Sequence, residues 1–161
     1  LDAQAAYESV FSLWGAIQGG VNVLMHGAGW MEGGLHASLE KFVLDADLLA
    51  MVAAYLDPIV VDEATLAHEA IGQVGPGGHY FGVQHTQDRF RDAFYKPILS
   101  DWRNYESWEE AGKPTVDQKA RQLAQAYLDG YEKPAMDPTI VEELDAFRAR
   151  RLAEGGVATD F

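Results

Sequence analysis

Apolar residues recur at three- and four-residue intervals through 2–18, DAQAAYESVFSLWGAIQ, where Ala6, Val10, Leu13, Trp14 and Ile17 share one face. That period predicts an amphipathic helix. Asp2 is placed to cap it and Gly19-Gly20 to end it. The pattern then changes: VNVLMHG, 21–27, is a short apolar run rich in β-branched residues, and predicts a buried strand. A glycine-rich loop, AGWMEGGLHAS, separates it from a helix over 39–56 that Ser38 can cap, with a turn at Asp57-Pro58. IVVD reads as a short extended piece. Asp62 is the cap type for a helix over 63–74, and after GPGG the run HYFGV predicts a second short strand, followed by a helix over 87–95.

From KPILSDWRNYESWEEAGKP onward the pattern is irregular and dense in aromatics, then helical over 115–130 and 138–153, with the tail EGGVATDF expected to fray. The sum is two strand–loop–helix units followed by helices. Parallel strands need crossover helices and lie buried between them, and a full eight-stranded α/β barrel takes about 250 residues. The expectation is an α/β chain: the C-terminal part of a (β/α)8 TIM-type barrel, residues 1–112, with an added C-terminal helical extension, residues 113–161. Alone, such a piece exposes a raw strand edge that needs covering.

Composition narrows the function. The chain has 161 residues with a formal net charge of −13, 48% hydrophobic and 23% charged residues, and no cysteine. An acidic surface repels phosphate backbones and anionic lipid, so neither nucleic acid nor a membrane surface is an expected partner. The missing thiols exclude disulfides and thiolate metal sites and favour a cytoplasmic setting. The longest apolar stretch, FVLDADLLAMVAAYL, is broken by two aspartates and is too short to span a bilayer. No basic-then-apolar leader opens the chain.

If the two strands belong to a barrel, their C-terminal ends face the active site. The first would deliver His26, Gly27, Gly29, Trp30, Glu32, Gly33 and Gly34; the second would deliver Gln84, His85 and Thr86. Each has a plainer role beside the functional one. His26 can serve a neighbouring carbonyl, the glycines can serve turns with φ > 0, and Thr86 can cap the helix that follows. Trp30 and Phe81 can pack or can cage a cation, since a quaternary ammonium that cannot donate hydrogen bonds is best held by ring faces. Glu32 would add negative charge. Trp102, Tyr105 and Trp108 read as packing residues. No metal site is expected, because the histidines lack partners at ligand spacing. The glycine loop completes neither a phosphate loop nor a dinucleotide fingerprint, and no GxSxG occurs.

Several segments, in order along nearly the whole chain, carry a resemblance: DAQAAYES, HGAGWMEGGLHASLEKFVLDADLL, VDEATLA, VGPGGHYFGVQHTQDRFRDAFYKPILSDWRNYESWEEAG and LDAFRARR. Together they resemble the C-terminal third of the trimethylamine:corrinoid methyltransferase family. The resemblance implies an α/β barrel enzyme that moves a methyl group from a methylamine or betaine-like quaternary amine to the cobalt of a cobalamin-type corrinoid on a separate, cognate protein.

Under that resemblance, His26, Trp30, Glu32, Phe81, His85 and Thr86 would lie near the small amine substrate. Gly27, Gly29, Gly33 and Gly34 would let the corrin face approach. The family's pyrrolysine position falls just before the segment matching DAQAAYE, so a frame resuming after an in-frame amber codon would begin near Leu1. A homo-oligomer is expected. The rival reading is a non-catalytic quaternary-ammonium binding or scaffold fragment that needs the missing N-terminal part.

Overall fold

The structure, a computed structural model, describes residues 1–155. It is mainly helical with one two-stranded sheet. Residues 156–161, which carry most of the tail expected to fray, lie outside the described residues. Helix α1 spans Ala3–Gln18, with Asp2 accepting from the Ala5 N–H as its cap. Helix α2, Leu39–Leu56, is capped by the Ser38 hydroxyl, which accepts from the Lys41 N–H. Both begin where a short oxygen-bearing side chain meets the orphan N–H groups of a first turn. The two helices pack together, with the Trp14 and Tyr55 rings 5.2 Å apart.

The predicted helix over 63–74 is two helices, α3 (Glu63–Leu66) and α4 (His68–Val74). Ala67 adopts φ 55 and breaks the ladder between them. The helix expected over 87–95 comes earlier and is shorter: α5, Gln84–Arg89. Helix α6, Tyr105–Glu110, is capped by Asn104 inside the segment read as broken helix. Helices α7 (Val116–Asp129) and α8 (Pro138–Ala153) follow.

Neither predicted strand forms. Residues 21–27 are irregular, with Val23 and Met25 exposed, and residues 79–83 are bends and turns, with Phe81 79% exposed. A strand holds its backbone groups only against a neighbouring strand, and the described residues bring no edge to either segment. The sheet that does form lies inside the stretch read as a glycine loop. Strands β1 (Trp30–Met31) and β2 (His36–Ala37) pair antiparallel, Trp30 opposite Ala37 and Met31 opposite His36. A single 3-10 turn, Glu32–Gly34, joins them. Two strand-forming runs separated by a glycine-bearing loop of three to five residues are a hairpin signal; here each run is two residues, too short to stand out.

The chain divides into two compact units, Leu1–Tyr127 and the residues from Leu128 onward. In the first, Val43, Leu99, Ala120 and Ala124 form the buried apolar cluster, with Leu44 and Leu123 packed against it. Thus α7, which the sequence assigns to the helical extension, contributes alanines to the core of the first unit. That core is thin. The chain exposes 13167 Å², whereas a folded monomer of 17.7 kDa exposes about 8,000 Å². Phe11, Tyr55, Phe94 and Trp102 are all exposed. No helix among the described residues is long and apolar enough to cross a membrane.

Candidate functional site

An open cleft of about 480 Å³ lies within the first unit, between α1, the 24–34 segment and α2. His26, Gly27, Trp30, Glu32, Gly33 and Gly34 line it, and so do Lys41 and Asp45 of α2. The His26 and Trp30 rings meet edge to face, with centroids 5.3 Å apart. His26 (φ 56) and Glu32 (φ 50) are two of the four described non-glycine residues with positive φ. Side chains adopt that conformation at a cost, and such residues cluster at functional sites. The Glu32 carboxylate is held by His36 Nδ1 at 2.5 Å across the hairpin.

The four nominated glycines divide by task. A Cβ on Gly27 would meet Leu24 Cδ2 at 2.9 Å, and one on Gly29 would meet Phe42 Cβ at 3.3 Å with φ already +86. These two are spent on the chain's own packing. Gly33 (φ +61) and Gly34 (φ +93) form the hairpin turn, and the space over Gly33 is open.

The second cluster is elsewhere. Phe81 contacts the His79 ring at 5.7 Å, and its carbonyl accepts from the Gln87 amide. His85 Nε2 bonds the Ala64 carbonyl at 2.7 Å, tying α5 to α3. Thr86 sits inside α5 with its N–H on the Val83 carbonyl, so it is not the helix cap; Val83 holds that position without a side-chain bond. Phe81, His85 and Thr86 do not line the cleft. The segments 25–26 and 83–84 are therefore not tips of adjoining strands over one hollow: Gln84 opens α5 and bonds Asp88.

Two functional-looking residues escaped the sequence reading. Lys41 and Asp45, 4% and 2% exposed, form a buried ion pair on successive turns of α2. Lys41 Nζ lies 2.7 and 2.6 Å from the two Asp45 oxygens and 2.6 Å from Ser9 Oγ of α1. Asp45 Oδ2 also accepts the Gly29 N–H at 2.8 Å. The signal was present: an aspartate inside an apolar helix face demands a partner, because a lone buried charge is very costly.

An ammonium has three donors, and the acceptors around Lys41 engage its head group fully. The other charged groups lining the cleft are the carboxylates of Asp2, Glu8 and Glu32. The lining is therefore acidic, with an indole face beside it. Such a combination attracts a cation, and an aromatic face suits one that carries methyl groups in place of N–H donors.

The comparisons with known proteins give the family. The family model described as trimethylamine methyltransferase (MTTB) matches residues 1–156. The chain belongs to the trimethylamine methyltransferase family. It is 38% identical over 156 residues to a glycine betaine methyltransferase of Desulfitobacterium hafniense (strain Y51), covering 97% of this chain and 32% of that protein. It is 29% identical over 145 residues to the trimethylamine methyltransferase MttB of Methanosarcina thermophila, covering 90% of this chain and 30% of the relative. A third relative, the MttB of Desulfitobacterium hafniense (strain DSM 10664 / DCB-2), is 27% identical over 157 residues, 98% of this chain and 31% of that protein. The chain thus spans about a third of the length of the curated relatives it matches.

Membership in the methyltransferase family agrees with the resemblance carried by the sequence motifs. Within this family member, the best-conditioned groups for ionic chemistry outside the cleft sit around Asp101. Arg103 donates to both its oxygens and Lys119 to one. The Arg103 guanidinium first, then the Lys119 ammonium, holds the Asp101 carboxyl well below the usual carboxylate range. The same Lys119 bonds the Leu99 carbonyl at 3.0 Å, so this network ties α7 to the 99–103 segment and is structural.

Proposed function

We propose that these residues are part of a methyltransferase that moves a methyl group from a methylated amine cation to a corrinoid carried by a separate protein. The donor is trimethylammonium or a betaine-like quaternary amine. The observation that carries the reading is the cleft: an exposed Trp30 face, the Glu32 carboxylate beside it and, among the described residues that line it, a single lysine, Lys41, whose charge Asp45 pairs. Family membership supplies the reaction class; the cleft supports the charge of the donor.

The chemistry asks for that charge. In methyl transfer an electron pair of the acceptor forms the new bond to the methyl carbon, while the C–N pair departs with nitrogen. Nitrogen leaves as a neutral amine only if it was positive beforehand, so the protein must bind the cation and aim one methyl group outward. Trp30 and His26 offer ring surface to the methyl groups, and Glu32 offsets the charge. The open turn at Gly33-Gly34 leaves a flat macrocycle room to approach, whereas Gly29 packs against Phe42, and Gly27, though it lines the cleft, lies against Leu24.

The fold proposed for the whole enzyme is the α/β barrel. Segments 21–27 and 79–83 would become strands there once neighbouring strands offer edges. The exposed apolar surface of this chain favours that view, and it implies that activity belongs to the longer assembly rather than to these residues alone. Phe81, His85 and Thr86 would join the cleft only in that setting.

The test is methyl transfer from trimethylamine, glycine betaine and carnitine to reduced cobalamin, followed by the absorbance of the methylated product. The reading expects turnover with at least one of these amines when the chain is joined to the rest of the glycine betaine methyltransferase from Desulfitobacterium hafniense (strain Y51), and none from the chain alone. It also expects Glu32→Gln to lower apparent affinity about tenfold, equivalent to ~1.4 kcal/mol, and Trp30→Ala to cost about 1–2 kcal/mol of binding. Binding without transfer would instead favour a quaternary-ammonium binding module.

A further inference from the structure

We infer that the buried Lys41–Asp45 pair is a positioning unit: through the Gly29 N–H it fixes the 26–34 loop in the conformation that sets His26, Trp30 and Glu32 around the cleft. What the positioning is for rests on the methylated-amine reading; that the pair positions the loop does not.

Three segments converge on this pair. Ser9 of α1 reaches Lys41, the Gly29 backbone reaches Asp45, and α2 carries both charges. Gly29 is held at each end of its peptide unit, since its carbonyl accepts the Ser38 N–H at 3.0 Å. It lies against Phe42, with φ +86. Few other ties restrain the loop. Its hairpin has two residues per strand, and Trp30 and Met25 are exposed.

A buried ion pair is weak evidence for stability, because desolvation offsets the attraction and an apolar pair of similar size often serves as well. Geometry is what an apolar pair could not supply here. Only an acceptor at position 45 takes the Gly29 N–H, and only a cation at 41 keeps that acceptor charged and aimed. Asp47 makes the contrast visible. Two residues further along α2, on another side of the helix, its carboxylate accepts the Ile98 and Leu99 N–H groups at 2.8 and 3.0 Å. One helix thus pins two irregular segments with two buried aspartates.

Amide hydrogen exchange on the full chain tests the assignment. The double apolar variant Lys41→Met/Asp45→Leu is compared with wild type, and Asp47→Asn serves as control. Positioning predicts that Gly29 exchanges about tenfold faster in the double variant while the centre of α2 keeps its protection. The Trp30 indole resonance should shift with it. In Asp47→Asn the Ile98 and Leu99 amides should accelerate and Gly29 should not. Should the double variant fail to fold, Asp45→Asn carries the same comparison, since it removes the charge that holds the Lys41 ammonium and one of the two oxygens that Lys41 and Gly29 share.

Tetramethylammonium chloride is then titrated into each protein. Binding by wild type that weakens severalfold in the variant supports both readings. No binding by wild type, with Gly29 still accelerated in the variant, sinks the amine reading and leaves the positioning unit standing. Unchanged Gly29 exchange and an unmoved Trp30 resonance in the folded variant overturn the positioning assignment, whatever the titration shows.

Discussion

Gly29 carries two demands at once, a φ of +86 and a Cβ position 3.3 Å from Phe42 Cβ. Neither tolerates a side chain. Gly29→Ala is expected to destabilise the chain by about 1–3 kcal/mol, the usual cost of a strained backbone, read from denaturant unfolding. Gly33→Ala, which meets open space, should lose only the conformational part. Asp101 gives a test with a sign. Its carboxyl is held low in the folded state by Arg103 and Lys119, so its contribution is fully present above the unfolded value, about pH 4. It is lost as pH falls from there toward the depressed folded value. Thermal melts should therefore show Asp101→Asn less stable than wild type at pH 6, with the gap closing below pH 4. At this scale the sequence was half legible. His26, Trp30 and Glu32 stood out by residue type and do share a cleft. Lys41 and Asp45 did not, because two aspartates in FVLDADLLAMVAAYL read as interruptions of an apolar run when they are the buried anchors of its neighbours.

Among the elements, α1, α2, α7 and α8 were readable almost to the residue, and in α1 and α2 a cap residue marks the start. Asp2 before α1 and Ser38 before α2 both bond the first turn they were placed to cap. The strands were unreadable for a different reason. A short apolar run such as VNVLMHG states a preference, and pairing depends on an edge that lies elsewhere. The same run is loop here and would be strand beside a partner. At α2 the account predicts a local weakness. Asp47→Ala would leave the buried Leu99 N–H and its neighbour Ile98 N–H without their acceptor, costing about 2–6 kcal/mol at 1–3 for each unmade bond. The loss should appear as a lowered unfolding midpoint with the α1 amides retaining their relative protection.

For the molecule as a whole, the surface decides the interpretation. An exposure of 13167 Å² against the roughly 8,000 Å² of a compact monomer leaves thousands of square ångströms that an independent domain would bury. Phe11, Tyr55, Phe94 and Trp102 are among the large apolar side chains left exposed, and contiguous apolar surface marks interaction sites. The relatives are about three times as long, and the remainder of such a chain is the proposed cover. By itself the chain should therefore bind a hydrophobic dye strongly and self-associate. Joined to the preceding two-thirds of the relative from Desulfitobacterium hafniense, it should do neither. A dye-silent, monodisperse chain would show that it buries its own surface.

The claim on which the rest depends is that the cleft selects positive charge on a methylated centre, and one comparison isolates it. Choline and 3,3-dimethylbutanol have the same shape and differ in whether the central atom is a cationic nitrogen or a neutral carbon. Calorimetric titration of the full chain should show choline binding about tenfold tighter or more, a preference of ~1.4 kcal/mol, and Glu32→Gln should shrink the difference. Equal affinity for the two, or preference for the neutral compound, would contradict the account.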